Sequence, residues 1–369
     1  MYPNFVNQAR IEEVRRLRNS TTNEKKSKII SHYLKQSNQE IDDIPTHAYI
    51  ETISTCNYAC GSCPQGNPEL KQDYVDNLES SPVMSFENFE AWGNEIVSAG
   101  IKSISLYNTN EPLLDPLLFK RLRLLETMEL DDVILMSNAS LMTKDKVQLI
   151  LASCVSKMCF SVDAASPKTY DVVRPEANKK SREVGLNSNE KIASRYEIVR
   201  DKIRDFCTLS RQERPDILTR ASFVVSKQNF HEIDKFISEF REFIDVIEFQ
   251  YNHVADFNRT TIDNEFTKLS VEDCSAPSTT IFIRPDGSIY PCCTVYSYIS
   301  QSGLGETLKL GSLSKSSYKT ILESKKRLTI MSALKNGTPI DRCNECLQNN
   351  YCHKTYSENN KYQNFSPLI

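Results

Sequence analysis

Three cysteines lie close together at the end of an alternating apolar segment near the start of the chain. Three residues separate Cys56 from Cys60, and two residues separate Cys60 from Cys63. A strand that ends in a tight loop of this kind brings three thiolates to one inorganic centre. Structural zinc and clusters used only for electron transfer take four protein ligands, so three cysteines predict a centre with one position open for chemistry. The alternative interpretation is a zinc loop or a chance cluster of cysteines.

A second set of cysteines lies in the carboxyl-terminal part of the chain. Its members are Cys274, Cys292, Cys293, Cys343, Cys346 and Cys352. Between them, residues 280–290 predict a β-hairpin that turns at Asp286-Gly287, and a helix is predicted from about Ser314 to Leu334. Because CxxC pairs and Cys352-His353 also suit zinc, either a zinc ion or an iron–sulfur cluster fits this set.

Between the two sets, strand patterns alternate with helix patterns. Strands are predicted at residues 48–54, 101–107, 133–137, 158–163, 218–225 and 246–251. Helices are predicted after Ser85, after Asp115-Pro116, after Thr143, from about 189 to 209, and up to Phe243. This alternation predicts parallel strands with right-handed crossovers, in an open barrel or a doubly wound sheet. In both folds, ligands bind at the carboxyl ends of the strands.

Composition limits the classes of function. The 369 residues include 45 basic and 48 acidic side chains, and a net charge of −3 gives no basic footprint for nucleic acid. No apolar segment reaches the length of a membrane span, and residues 1–5 do not resemble the start of a signal peptide. We therefore expect a cytoplasmic protein with neither nucleic-acid nor membrane partners. Residues 1–45 predict a helical amino-terminal extension that covers the barrel or binds a partner.

The spacing of Cys56, Cys60 and Cys63 after a first strand resembles that of the radical S-adenosylmethionine (SAM) enzymes. The resemblance implies an α/β fold with a partial (β/α)6 barrel over residues 46–270, and a [4Fe–4S] cluster held by these three cysteines. SAM binds the fourth iron through its amino and carboxylate groups. One electron from the reduced cluster splits the sulfonium and releases a 5′-deoxyadenosyl radical. A reductant such as flavodoxin or ferredoxin is the implied partner.

Polar residues at the predicted strand ends extend the resemblance. The segment after predicted strand two reads Thr109-Asn110-Glu111-Pro112, and it matches the family's Gly-Gly-Glu-Pro segment at Glu111 and Pro112. The resemblance implies that this segment contacts the amino group of SAM. The residues that resemble further cofactor contacts, to the ribose and carboxylate of SAM among them, are Asn138, Ser161, Asp163 and Arg174. The chain departs from the family at Ser62, which is often aromatic, and at Val225, near which a glycine is common.

Cys159 is a candidate catalytic residue inside the predicted barrel. Strand alternation places it on the same face as Ser161 and Asp163. A thiol there could donate a hydrogen atom to a substrate radical, whereas most buried cysteines serve packing alone.

The order of the second cysteine set, with a hairpin and a helix between its members, resembles the SPASM/twitch extensions that bind auxiliary clusters. It implies a small cluster-binding domain over residues 271–369. The family's next ligand position is Tyr356 in this chain, so one auxiliary [4Fe–4S] cluster is expected. Its expected ligands are Cys274, Cys292, Cys343 and Cys346, with Cys293 and Cys352 as alternates.

Both patterns together predict a 4Fe-4S dependent radical SAM oxidoreductase that takes a hydrogen atom from its substrate. Within the family, auxiliary clusters accompany peptide maturation and the oxidation of aminocyclitol alcohols. The size of the extension and the polar insertion at residues 176–189 favour oxidative modification of a peptide. The alternatives are a dehydrogenase or epimerase that acts on an aminocyclitol or sugar, and a non-catalytic iron–sulfur or zinc scaffold or sensor.

Overall fold

The computed structural model describes most of the two predicted domains. The described residues are 5–20, 44–61, 63–66, 78–177, 193–250, 266–268, 274, 276–292, 308–341, 343–344 and 351–353. The strands β1 to β12 are Phe5–Val6, His47–Ile50, Ser103–Ser105, Asp132–Ser137, Lys157–Ser161, Leu218–Val224, Val246–Gln250, Phe266–Lys268, Thr280–Ile283, Ser288–Tyr290, Gly311–Ser312 and Tyr351–His353.

Helices connect most of these strands. The α-helices α1 to α10 are Gln8–Ser20, Phe86–Ser98, Leu118–Glu126, Lys144–Leu151, Pro167–Val173, Arg195–Glu213, Ile233–Phe240, Ala276–Thr279, Tyr318–Leu322 and Lys325–Lys335. Short 3-10 helices cover Pro64–Gly66, Pro112–Leu114 and Phe230–Glu232. In the part of the chain described here, no helix combines the length and apolar character that a membrane span requires.

The main sheet has ten strands in the order β1-β7-β6-β5-β4-β3-β2-β9-β10-β11. Strands β2 to β7 run parallel in chain order, so the predicted strand–helix alternation and parallel sheet are confirmed. The sheet is open, as expected for a partial barrel. Strand β9 of the carboxyl-terminal hairpin pairs in parallel with β2, so the sheet continues across the predicted boundary at residue 271.

The two faces of the sheet differ in chemistry because side chains alternate along each strand. One face is apolar and packs into the main core with the helices, through residues such as Ala48, Ile104, Leu135, Phe160 and Phe223. The other face is polar, and it carries His47, Tyr49, Ser105, Cys159, Arg220 and Glu248.

Two side chains of the polar face reach toward each other across the sheet. Arg220 Nη2 on β6 donates to the hydroxyl of Tyr107, which follows β3, at 3.4 Å. Strands β4 and β5 lie between, so the two side chains lean over them, as side chains do on the inner wall of a partial barrel. We call the polar face the concave face.

Local signals set several helix boundaries as predicted. Ser85 and Thr143 cap α2 and α4, and each side-chain oxygen accepts a backbone N–H of the first turn. The predicted helix over residues 314–334 is instead two helices, because Ser324 caps a second start. The sequence analysis missed α5, which begins at Pro167 with Ser166 as its cap.

The predicted helix start at Asp115-Pro116 is two residues too early. The Asp115 carboxylate accepts the backbone N–H of Leu117 at 2.8 Å and binds Arg121 Nε at 2.9 Å. Helix α3 itself begins at Leu118, and Leu117 at its N-cap makes no side-chain capping bond.

Helix α1 covers the amino-terminal ends of the parallel strands. Arg10 Nη2 donates to the carbonyl of Pro215 at 2.6 Å, and Arg18 Nε donates to that of Asp216 at 3.0 Å. Ile11 and Val14 are buried beneath the helix. Helix α1 therefore lies where a cover for the barrel would lie, which is one of the two roles expected for the amino-terminal extension.

Candidate metal and cofactor site

The loop after β2 carries Cys56, Cys60 and Cys63. Backbone hydrogen bonds tie it to the segments after β3 and after α5: Glu111 N donates to the carbonyl of Thr55 at 3.0 Å, and Ala59 N donates to that of Pro175 at 2.7 Å. Tyr58 also forms an isolated antiparallel bridge with Glu176. The cysteine loop therefore lies at the carboxyl edge of the parallel strands, where ligand sites were expected.

The end of the cysteine loop turns back tightly. Cys63 N donates to the carbonyl of Cys60 at 3.0 Å, and Gly66 N donates to that of Cys63 at 2.9 Å. A Cβ at position 66 would lie 2.1 Å from the Cys60 carbonyl oxygen, so only glycine fits there. Gly66 was not predicted as a residue of the site, although a glycine three residues after the third cysteine is visible in the sequence.

The three thiols are half-buried and close enough to affect one another. Burial raises the pKa of Cys56 to about 12, and it also raises the pKa values of Cys60 and Cys63. The charges of Cys60 and Cys56 add to the rise in the pKa of Cys63. Such thiols become thiolates only when a metal compensates the charge. Among the residues that the structure describes, no three His, Cys, Asp or Glu side chains form a ready-made site for a single metal ion.

N–H groups are directed at two of the sulfurs. Tyr58 N and Asn138 Nδ2 lie 3.4 Å and 4.0 Å from Cys56 Sγ, and Arg174 Nη1 lies 3.9 Å from Cys60 Sγ. Arg174 Nη2 donates to Asp163, and Arg174 Nε is buried with no hydrogen bond in the described part of the chain. Thiolate ligands, N–H donors and a buried guanidinium together fit an iron–sulfur cluster with an anionic ligand beside it.

Glu111 is buried and receives three hydrogen bonds from the protein. Its Oε1 accepts from Ser137 Oγ at 2.8 Å and from Leu113 N at 3.1 Å, and its Oε2 accepts from Asn138 N at 2.8 Å. Burial raises the pKa of this carboxyl group, and the three donors oppose the rise. The side chain thus joins the loops after β3 and β4, and Pro112 is buried at the start of the next turn.

Ser161 and Asp163 lie at the end of β5, but they do not share one strand face. The strand stops at Ser161, and Asp163 has φ of 59°, so the predicted alternation does not extend to it. Ser161 is half-buried on the concave face. The Asp163 carboxylate binds Arg174 and accepts the backbone N–H of Val224 at 2.7 Å.

Cys159 lies on the concave face with Ser161, as alternation predicts, but it is only 2% exposed. Burial raises the pKa of its thiol, and the nearby Arg220 guanidinium opposes that rise. Arg220 Nη1 pairs with Glu248 at 2.8 Å, so a buried ion pair stands beside the thiol. This pair was not predicted, because its members lie on separate strands.

The structure describes only part of the second cysteine set. Cys274, Cys292 and Cys343 are half-buried, and the last two pack against the main core. Cys293 and Cys346 lie outside the described residues, and Cys352 lies on β12, where only the backbone is described. The hairpin is confirmed, with Gly287 at φ of 81° in the predicted turn.

Comparisons with known proteins agree with both halves of the chain. The model of the SPASM family, an iron-sulfur cluster-binding domain, matches residues 274–347, a range that includes every cysteine of the second set except Cys352. The GTP 3′,8-cyclase of Xanthomonas campestris pv. campestris is 29% identical over 124 residues, which are 33% of this chain and 34% of the cyclase. The match spans about a third of the length of these curated relatives.

Two solved proteins share the fold. BtrN in complex with AdoMet and 2-DOIA has a TM-score of 0.50 and 14% identity, over 84% of this chain and 94% of BtrN. Streptococcus suis SuiB bound to S-adenosylmethionine has a TM-score of 0.53 and 13% identity, over 79% of this chain and 68% of SuiB. SuiB bound to its precursor peptide SuiA has a TM-score of 0.51 and 13% identity, over 84% of this chain and 70% of SuiB.

The cysteine loop, the open parallel sheet and these comparisons agree with one another: residues 274–347 match the SPASM iron-sulfur cluster-binding domain, and the chain shares the fold of BtrN and SuiB.

Proposed function

We propose that the chain is an enzyme that cleaves SAM reductively at a [4Fe–4S] cluster held by Cys56, Cys60 and Cys63, and that it oxidises a peptide by removing a hydrogen atom. The observation that carries the proposal is the position of the cysteine loop, anchored at the carboxyl edge of the sheet and next to the buried Arg174. One electron from such a cluster splits the sulfonium of SAM, and the radical released can take a hydrogen atom from an unactivated carbon.

The contacts of the strand-end residues suggest separate roles in holding the cofactors. Glu111 and Asp163 already receive hydrogen bonds from the protein, so we assign them to shaping the loops around SAM. Pro112 fixes the turn after Glu111. Arg174 and Asn138 present N–H donors toward the cysteines, and half-buried Ser161 is left to contact a ligand directly.

The lining of the concave face supports a substrate without net charge. Toward the carboxyl ends of the strands, its half-buried side chains are neutral: Tyr107, Met136, Ser161, Val224 and Gln250. The charges farther along the same face are paired, Arg220 with Glu248 and Lys157 with Asp132. Apolar groups mixed with a hydroxyl and an amide suit a peptide segment, and the fold shared with SuiB, solved with its precursor peptide, supports this class.

A second candidate is the oxidation of a small alcohol or amino sugar. The fold covers 94% of BtrN, which was solved with 2-DOIA, and Ser161 and Gln250 could both bond a substrate hydroxyl. Peptide and small-molecule substrates differ in size, so product analysis with each class separates the candidates.

We assign the SPASM domain the role of electron acceptor. A [4Fe–4S] cluster on Cys274, Cys292, Cys343 and Cys346, with Cys293 and Cys352 as alternates, would take the second electron that makes the reaction an oxidation. The pairing of β9 with β2 supports this role because it joins the domain to the strand that carries the cysteine loop. A flavodoxin or ferredoxin would supply the first electron.

The test is iron content and SAM cleavage in anaerobically reconstituted protein. Wild type should hold about eight irons per chain, and the triple variant Cys56→Ala, Cys60→Ala and Cys63→Ala should hold about four and form no 5′-deoxyadenosine. Cys207→Ala is a matched control, since this buried thiol lies in the apolar core and should leave both values unchanged. A triple variant that keeps all its iron would refute the site.

A further inference from the structure

Two side chains approach the cysteine sulfurs from different parts of the fold. Arg174 ends α5 and lies 3.9 Å from Cys60 Sγ through Nη1, and Asn138 follows β4 and lies 4.0 Å from Cys56 Sγ through Nδ2. Both residues belong to segments outside the cysteine loop, and Asn138 is also hydrogen-bonded to Asn57 within it. The two donors would therefore lie beside any cluster that the loop holds.

Arg174 is held rigidly in this position. Asp163 accepts from its Nη2, and the Asp163 carboxylate is in turn held by Val224 N at 2.7 Å. The backbone carbonyl of Arg174 accepts from Arg195 Nη1 at 3.0 Å.

Asn138 is fixed by its neighbours in the same way. Its Oδ1 accepts from Ser140 N at 3.0 Å, and its Nδ2 donates to Asn57 Oδ1 at 2.9 Å. An amide nitrogen carries two hydrogens, so the second remains for Cys56 Sγ.

We propose that Arg174 and Asn138 are positioning residues that set the reduction potential of the cluster on Cys56, Cys60 and Cys63. Reduction adds negative charge to a cluster, and N–H donors and a fixed positive charge at its sulfurs stabilise the reduced form. Both residues therefore raise the potential. This inference rests on the proposed function, because it requires a cluster at these cysteines.

The experiment is an EPR-monitored redox titration of the full chain with both clusters, performed without SAM. The signal that changes on later addition of SAM identifies the cluster with the open iron. Arg174→Gln should lower the reduction potential of that cluster by at least about 59 mV, which corresponds to a tenfold smaller equilibrium constant for its one-electron reduction. Arg174→Lys should recover part of the shift because it restores the charge. Asn138→Leu, of similar size but without a donor, should give a smaller shift in the same direction.

Controls and contrary outcomes separate this inference from the proposed function. Arg214→Gln removes a guanidinium that pairs with Asp216 elsewhere on the surface, and it should leave the potential at the wild-type value. If Arg174→Gln weakens SAM binding but leaves the SAM-free potential unchanged, the guanidinium acts on SAM and the inference is wrong. If wild type shows no SAM-responsive cluster, the proposed function itself has failed. If the Arg174→Gln protein binds no cluster, the reduction potential measured in Asn138→Leu still tests the inference, and an unchanged potential there would contradict it.

Discussion

Replacing His47 should make the fold less sensitive to mild acid. His47 is buried on β2, where its Nε2 lies 2.9 Å from Ser105 Oγ. Its pKa is lowered to about 3, first by burial and then by the charges of Lys157 and Arg220, while Asp132 opposes the shift. The folded chain therefore keeps this histidine neutral at pH values where the unfolded chain protonates it.

The size of the effect follows from the two pKa values. A histidine in the unfolded chain has a pKa of about 6.5. Because the folded pKa is the lower one, stability is present in full above about pH 6.5 and is lost as the pH falls toward about 3. Between about pH 7.5 and about pH 5, the unfolded state gains nearly one more proton than the folded state, and wild type should lose about 2 kcal/mol through His47 alone.

Urea unfolding at both pH values measures this loss. The free energy of unfolding of His47→Gln should fall by about 2 kcal/mol less than that of wild type over the same interval. His231→Gln is the matched control, since His231 is exposed and its variant should follow wild type. Equal losses in wild type and His47→Gln would mean that His47 is not held neutral, and the reasoning from burial would be refuted.

Three further predictions test other parts of the molecule. Cys343→Ala with Cys346→Ala should increase proteolysis of the carboxyl-terminal region while SAM binding persists, because the ligands close a long loop; bound zinc without a second cluster signal would contradict this assignment. Turnover in deuterated water should leave the product without solvent deuterium; stoichiometric deuterium that is lost in Cys159→Ala, while 5′-deoxyadenosine still forms, would instead identify an epimerase. Arg121→Met should lower the free energy of unfolding by about 3–5 kcal/mol, since it leaves the carboxylate of Asp115 buried and unpaired; Asp115→Asn with Arg121→Met should recover part of the loss, and no recovery would show that the ion pair is not the cause.

Short-range patterns were sufficient to predict much of the fold. Caps at Ser85 and Thr143, and the turn at Gly287, depend on residues within one helical turn or one hairpin. The alternation of strands and helices then limits the possible topologies to a parallel sheet. Each of these features can be read from neighbouring residues.

The features that were missed depend on contacts between distant segments. Nothing near Glu111 in sequence indicates that Asn138 N will bind its carboxylate, and the pair Arg220 and Glu248 forms only when β6 lies beside β7. The orientation of Asp163 could not be predicted either. The strand ends at Ser161, and Asp163 lies in the following loop, where it binds the distant Arg174.

The pairing of β9 with β2 has a consequence for how the chain can be divided. A protein ending at residue 270 would retain β2 to β7 but would lose β9, one of the two partners of β2, along His47 to Ile50. Strand β2 would then become an exposed edge, with unpaired backbone groups next to the cysteine loop, and such edges recruit other chains and aggregate. We therefore predict that a chain ending at residue 270 aggregates more readily than the full chain, because the hairpin protects this edge of the sheet.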